Sequence, residues 1–204
     1  MRTDRAFVAS NRVEGAQGGS LERTLVEQAQ RGDSGAFDAI VRRKVQSVYG
    51  TALAILGQEA DAQDAVQEAF VSAWRSIAGL RDPDRFDAWF GRILVNSCRA
   101  TLRRRRGVRE MVLGADAGDD RTDALTDVPD AAPSMAEATI EADRFDRAFA
   151  RLSVDERALL VLRHRDDESV EGIASRLGIP PGTVKSRLFA ARRALERALE
   201  REDR

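Results

Sequence analysis

From Ala62 to Ile77 the chain carries apolar residues at every third or fourth position without a break: Ala62, Ala65, Val66, Ala69, Phe70, Ala73, Trp74 and Ile77. An α-helix gathers such a set on one face, whereas a strand would scatter it over both. A helix with one apolar stripe needs another element to cover it, and the flanking segments offer helices. Phe37, Ile40, Val41, Val45, Val48 and Ala52 lie on one side of a segment from about Ser34 to Leu56 that stops at Gly57. Phe86, Trp89, Phe90, Ile93, Leu94 and Ser97 point inward from a further segment. Asp82-Pro83 opens it, an N-cap followed by proline at the first helical position. A shorter helix, Leu21 to Gln30, comes before Gly32-Asp33. Ala, Arg, Glu and Leu dominate, with 5 prolines and one tyrosine in 204 residues. The expected fold is therefore all-α.

The pattern divides the chain. Residues 1–20 are rich in Gly, Ser, Asn and Gln and read as a flexible N-terminal arm. Residues 21–106 read as one small helical domain of about four helices. Residues 107–136 are acidic, contain glycine and proline and lack sustained periodicity, which predicts a mobile linker. Residues 137–204 form a second helical unit. In it, Ser153-Val154-Asp155-Glu156 has the form of a capping box opening a helix to about His164.

Within that second unit, "LGIPPGTVKSRL" (177–188) sets two glycines and two prolines between helical segments. Val170, Ile173, Ala174 and Leu177 give the preceding short helix an apolar face. Gly178 stands where a helix C-terminus favours a left-handed residue, and Pro180-Pro181 cannot continue that helix but can begin the next. Helix, glycine turn, helix is the pattern of a helix-turn-helix. The same stretch also fits an ordinary helical hairpin. After the corner, Lys185, Ser186, Arg187 and Phe189 come early in the second helix, where a recognition helix faces bases, with Arg192 and Arg193 a turn later. Val184, Leu188 and Leu195 face inward.

A formal net charge of -1 conceals a strong segregation. Seven arginines and no acid lie between Arg92 and Arg109, whereas ten acids and one base lie between Glu110 and Asp143. Arg92, Asn96, Arg99 and Arg103 recur at helical spacing and form one polar stripe opposite the aromatic face. Arginine's planar fork suits phosphate, and an asparagine among arginines can reach a base edge. Arginines near a helix C-terminus also complement the helix dipole without any ligand. On the 62–77 helix, Asp61, Asp64 and Glu68, with Gln67 beside them, line the face opposite the core. That strip is either a solvated face or a docking surface for a basic partner.

Other chemistry is poorly provided for. The single Cys98 allows no internal disulfide, and the single His164 argues against a conventional zinc site. Cys98 falls on an apolar helix face and is expected in the core; His164 is expected to be a helix-end cation. No glycine-rich phosphate loop, metal-ligand cluster or Ser/His/Asp constellation is present, so neither an enzyme nor a cofactor is expected. The first residues lack the apolar run of a signal peptide, and no segment reaches the roughly 18 apolar residues of a membrane span. A soluble, cytoplasmic protein is expected.

Taken together, "DAQDAVQEAFVSAW" (61–74), "FDAWFGRILVNSCRATLRRRR" (86–106) and "LSVDERALLVLRHRDDESVEGIASRLGIPPGTVKSRLFAARRAL" (152–195) resemble the bacterial extracytoplasmic-function sigma factors of the sigma-70 family. The resemblance implies a promoter-specificity factor of two helical domains and a linker. It implies that Asp61, Asp64, Gln67 and Glu68 bind the β′ clamp helices of core RNA polymerase. It assigns Arg92, Asn96, Arg99 and Arg103 to the -10 element, with Asn96 at the family's asparagine that holds a flipped-out base. It assigns Lys185, Ser186, Arg187, Phe189 and Arg192 to the -35 element, with the same unit resting on the β flap. The linker resembles the segment that threads the polymerase cleft, and an anti-sigma factor is a further implied partner. The chain departs from the family at Ser153, where proline is common, and at Ala190, where a basic residue is frequent. A third departure is Asp166-Asp167-Glu168, which leaves the packing before Ser169 open. A response regulator would share the corner but not the 61–106 block, and a pure adaptor would leave both arginine faces idle.

Overall fold

The computed structural model describes residues 21–113 and 136–202. The expected arm, and the expected linker apart from its two helical ends, lie outside the described residues. Helix α1 (21–30) turns through Gly32, at φ 92°, into α2 (Ser34–Leu56), α3 (Glu59–Ser76) and α4 (Phe86–Leu113). These are followed by α5 (Ala136–Ala150), α6 (Val154–His164), α7 (Val170–Leu177) and α8 (Pro181–Glu202). Among the described residues there is no strand.

Local chemistry sets the helix boundaries. Asp33 caps α2 by accepting from the Ala36 amide at 3.1 Å, and Gly57, at φ 75°, closes it with a 2.7 Å bond from its amide to Leu53 O. Such left-handed closure is where glycine has the advantage. Asp82 caps the short 3₁₀ turn Pro83–Arg85 that leads into α4. In α6 both halves of the Ser153–Glu156 capping box form.

Helices α1–α4 make the N-terminal unit. Its centre is a chain of aromatic contacts across three helices. Phe37 meets Phe70 at 6.5 Å and Trp74 at 5.1 Å; Phe70 meets Phe90 at 4.8 Å; Phe90 stacks on Phe86 at 5.7 Å. Ile40, Ile55, Leu56, Phe86 and Leu94 are fully buried around it. Each such side chain contributes about 1.5–3 kcal/mol of apolar transfer. Gln30 Nε2 donates to Leu80 O at 2.6 Å and Ile77 O at 3.2 Å, tying α1 to the end of α3. Two expected core residues lie at the surface instead: Val45 is 36% and Trp74 38% exposed. Trp74 turns its outer edge to a shallow apolar groove shared with Phe37, Phe70 and Val71. Helix α4 also runs past Arg106 to Leu113, so its end overlaps the start of the expected linker.

The C-terminal unit is arranged around α6, whose run Ala158-Leu159-Leu160-Val161-Leu162 is buried throughout. Five consecutive buried apolar residues face every direction around a helix, so this part of α6 lies between layers. Leu159 and Leu162 join Ile173, Val184 and Leu188 of α7 and α8. Leu160 joins Ala148 and Leu152 at one end of α5 and Ala191 and Ala198 of α8. Ala158 and Val161 complete the core of the N-terminal unit. One short helix therefore holds both units together. Arg147 and Arg151 add a clamp from α5 to Glu202 at the end of α8, at 2.9 and 2.7 Å.

Cys98 is inaccessible, in the core as expected. Burial pushes its thiol up to about 12. The nucleophilic thiolate is then scarce at neutral pH, so the native protein is predicted to resist thiol reagents. Denaturant should release one reactive thiol per chain in a 5,5′-dithiobis(2-nitrobenzoic acid) assay.

Candidate nucleic-acid interface

The corner between α7 and α8 forms through the residues that announced it. Ser169 caps α7 by accepting from the Gly172 amide at 3.0 Å. Gly178 adopts φ 67°, and the Ile179 amide reaches Ala174 O at 3.1 Å. Pro181 then occupies the first position of α8, whose first amide-to-carbonyl bond runs from Val184 to Pro180 O at 3.1 Å. On the inner side Val184, Leu188 and Ala191 are buried. On the outer side Lys185, Ser186, Arg187, Phe189 and Arg192 are all exposed.

Phe189 is 68% exposed, the most exposed large apolar residue among those described. Its flank carries cations: Lys185 one turn before it and Arg192 one turn after. Arg192 Nη2 lies 3.4 Å from His164 Nε2, against the end of α6. Ser186 Oγ donates to Thr183 O at 3.0 Å, so its hydroxyl can accept from a base as it stands but must rotate before it can donate to a phosphate. Two cations beside an exposed aromatic ring suit a duplex groove, where phosphates flank base edges.

On α4 the expected stripe divides. Arg92, Asn96 and Arg103 are exposed, and Arg99 is half-buried. Arg99 Nη1 donates to Asn96 Oδ1 at 2.8 Å and its Nε to Asp155 Oδ1, on α6, at 2.6 Å. Arg99 thus orients Asn96 while itself being engaged by the C-terminal unit. Asn96 retains its amide donors toward solvent, the groups that recognise a base acceptor. Beyond the stripe, Arg104 Nη2 donates to Thr101 Oγ1 at 3.1 Å, and Arg105 Nη1 to Asp61 Oδ2 at 3.1 Å.

That last pair alters the acidic strip on α3. Asp64, Gln67 and Glu68 are exposed together, but the Asp61 carboxylate is only 20% exposed and is held by Arg105. The surface open to a basic partner is Asp64–Gln67–Glu68, and Asp61 is shared with α4. Spacing along α3 could not reveal this, since Arg105 is 44 residues distant.

A charged cleft lies between the units, lined by Arg43, Lys44, Asp87, Arg165, Asp166 and Arg176 among others. Lys44 sits in it beside Phe86, 5.8 Å above the ring. Burial opposes its charge, but its hydrogen bonds to Asp87 and Glu22 prevail and raise it above the ordinary lysine range. Among the described residues no group of His, Cys, Asp and Glu could hold a metal ion, and no helix is long and apolar enough to cross a membrane.

Comparison with known proteins places these surfaces in a family. Residues 40–108 match Sigma-70 region 2 and residues 142–195 match Sigma-70, region 4. The chain is similar to the RNA polymerase sigma-H factor of Pseudomonas aeruginosa, 35% identical over 88% of this chain and 94% of that one. It is similar to the ECF RNA polymerase sigma-E factor of Haemophilus influenzae, 34% identical over 88% and 95% of the two chains. Among solved structures it resembles CnrH in complex with the cytosolic domain of CnrY, with a TM-score of 0.61 and 26% identity over 88% of this chain and 97% of CnrH. The chain belongs to the extracytoplasmic-function sigma factors of the sigma-70 family.

Proposed function

We propose that the chain binds core RNA polymerase, brings it to a class of promoters through the -35 and -10 elements, and helps open the DNA. The observation that carries the reading is the pairing of two separate exposed basic faces, one on each matched region, with an acidic patch on α3. The early face of α8 (Lys185, Ser186, Arg187, Phe189, Arg192) reads duplex -35 DNA. The α4 stripe (Arg92, Asn96, Arg99, Arg103) holds the -10 strand once it is unpaired. Removing a base from the stack costs a few kcal/mol, and arginines along a groove with an amide among them offset that cost.

Residues 21–106, with the extension of α4, form the -10 domain and residues 137–204 the -35 domain. Residues 107–136 are the tether, whose acidic charge substitutes for nucleic acid in the polymerase cleft. The protein performs no catalysis of its own, needs no cofactor and acts in the cytoplasm, where the polymerase is. An anti-sigma factor is a further partner; CnrH, which this chain resembles, is itself held by the cytosolic domain of a second protein.

Asp64, Gln67 and Glu68 dock on the β′ clamp helices, with Asp61 in a supporting place beside Arg105. Reversing Asp64 and Glu68 to lysine turns two attractions into repulsions. Like-charge juxtaposition at an interface costs several kcal/mol, so core binding is predicted to fall by two orders of magnitude or more, as about 1.4 kcal/mol is tenfold. Both residues are exposed, so helicity should be unchanged. Co-purification of the double variant with core polymerase at wild-type yield would refute the docking assignment.

A further inference from the structure

Helix α1 lies ahead of residues 40–108, the part of the N-terminal unit that matches Sigma-70 region 2. Its inner side, Val26 and Ala29, is buried in the core of that unit. Polar side chains at both its ends reach the connection from α3 to α4, residues 77–85. At one end Gln30 Nε2 donates to Ile77 O at 3.2 Å and to Leu80 O at 2.6 Å. At the other, Arg23 Nη1 donates to Asp84 Oδ2 at 2.5 Å. Glu22 there joins Lys44 at 2.6 Å, and Lys44 also pairs with Asp87 in the first turn of α4. Residues 23 and 30 of a helix are separated by about 10 Å along its axis, so α1 runs beside the connection from one end to the other.

The connection's own hydrogen bonds close two separate turns. The Leu80 amide donates to Ile77 O at 3.0 Å; the Arg85 amide donates to Asp82 O at 3.0 Å and the Asp84 amide to Asp82 Oδ1 at 3.1 Å. Neither set spans the join at Arg81, and Pro83 has no amide proton to offer. Gln30 fixes the first turn from outside. Both its partners are carbonyls, so both its amide protons are used. Ile77 and Leu80 are buried, where a carbonyl deprived of its donor is costly. Past that turn Arg81 and Arg85 are exposed, Arg85 seven residues ahead of Arg92 and Arg81 four ahead of Arg85. The line of cations on α4 therefore begins on the connection.

We infer that α1 is a splint for the α3–α4 connection and that Gln30 is a positioning residue for -10 recognition, acting through the carbonyls of Ile77 and Leu80 rather than by touching DNA. This rests on the assignment of the α4 stripe to the -10 strand. A strand held by Arg92 and Asn96 that continues past the start of α4 meets Arg85 and Arg81, and the turn that Gln30 pins sets where those two stand. With the pin gone, the connection has to be ordered at the moment of binding, a cost that falls on the strand contacts and blunts their selectivity.

Three full-chain variants separate positioning from stability. Gln30→Glu keeps the shape of the side chain but exchanges its donors for a carboxylate that only accepts. Gln30→Lys restores a donor. Val26→Ala loosens the packing of α1 without touching the connection. Amide hydrogen exchange read by mass spectrometry follows residues 77–85 in the free chain. Selectivity is read by loading each variant on core polymerase, adding a promoter pool randomised over the -10 element, and sequencing the DNA retained. Gln30→Glu is expected to speed exchange in 77–85 about tenfold, with α2 unchanged, and to weaken preference about fivefold at one or two -10 positions. Gln30→Lys should stay near wild type in both, and Val26→Ala should lower the unfolding midpoint with the preference kept. Unchanged exchange in Gln30→Glu would overturn the splint. Faster exchange with unchanged preference, where Asn96→Ala does alter it, would overturn the positioning role, as would equal loss of preference in Val26→Ala. Preference unaltered by Asn96→Ala as well would instead count against the assignment of the stripe, while the exchange result leaves the splint standing.

Discussion

Asn96→Ala and Arg187→Ala are expected to impair promoter use for different reasons, and a pre-opened template should separate them. Asn96 is exposed on α4 with its side-chain oxygen held by Arg99 at 2.8 Å, so its amide is aimed before any strand arrives. Removing it should leave duplex -35 binding intact and slow promoter opening by about 10- to 100-fold, the equivalent of about 1.4–2.8 kcal/mol. Arg187 is exposed on the outer face of α8, with buried Leu188 beside it fixing the helix rotation. Losing a base-contacting arginine costs about 1–3 kcal/mol and relaxes preference at one or two positions. A template already mismatched over the -10 element removes the unpairing cost, so it should rescue Asn96→Ala and leave Arg187→Ala impaired. Run-off transcription from duplex and bubble templates measures this directly. Equal rescue of both variants, or of neither, would contradict the division of labour.

The largest effect on stability is expected at Phe90. Its ring is 3% exposed and lies between Phe70 at 4.8 Å and Phe86 at 5.7 Å, so it joins α3 to two turns of α4. Truncating a buried phenylalanine to alanine costs about 3–5 kcal/mol, against a total of about 5–15 kcal/mol for a typical domain. The unfolding midpoint of Phe90→Ala should fall by about 15 °C or more. Phe189→Ala, which removes the same ring from an exposed position, should shift it by no more than a degree or two. Thermal denaturation followed by circular dichroism checks both.

These contrasts also show which features a sequence can disclose. Caps and corners were legible because their causes are local. Gly178 adopts its left-handed backbone, and Ser153 and Glu156 bond each other three residues apart. The buried stripe of α3 was legible for the same reason, since spacing alone sets a helical face. Trp74 was not, because spacing cannot say how wide the covering layer is: Ala73 and Ile77 are buried, whereas Trp74, although it meets Phe37, is 38% exposed. The change of composition from residue 107 onward predicts a linker, yet α4 runs through Gly107 to Leu113. One glycine costs a helix only about 1 kcal/mol.

Pairings distant in sequence were beyond reach. By spacing Asp61 is equivalent to Asp64, but Arg105 holds it. Asp166-Asp167-Glu168 stood out as a departure from the family pattern without an evident purpose. Asp166 meets Thr51 across 115 residues, Glu168 meets Arg176, and Asp167 makes the turn between them at φ 56°. Of the three, Asp166 is the residue that bonds to the other unit, while Glu168 and Asp167 shape the turn that presents it.

The central claim, that this chain directs polymerase to promoters through two DNA-facing surfaces, is tested most directly by run-off transcription with purified core polymerase on a library of genomic fragments. The predicted result is a discrete set of transcripts that depend on the protein, whose upstream sequences share one -35 and one -10 element at fixed spacing, with Arg187→Ala altering the first preference and Asn96→Ala leaving it unchanged. Transcription indistinguishable from that of core polymerase alone, or protein-dependent transcripts sharing no upstream elements, would contradict it.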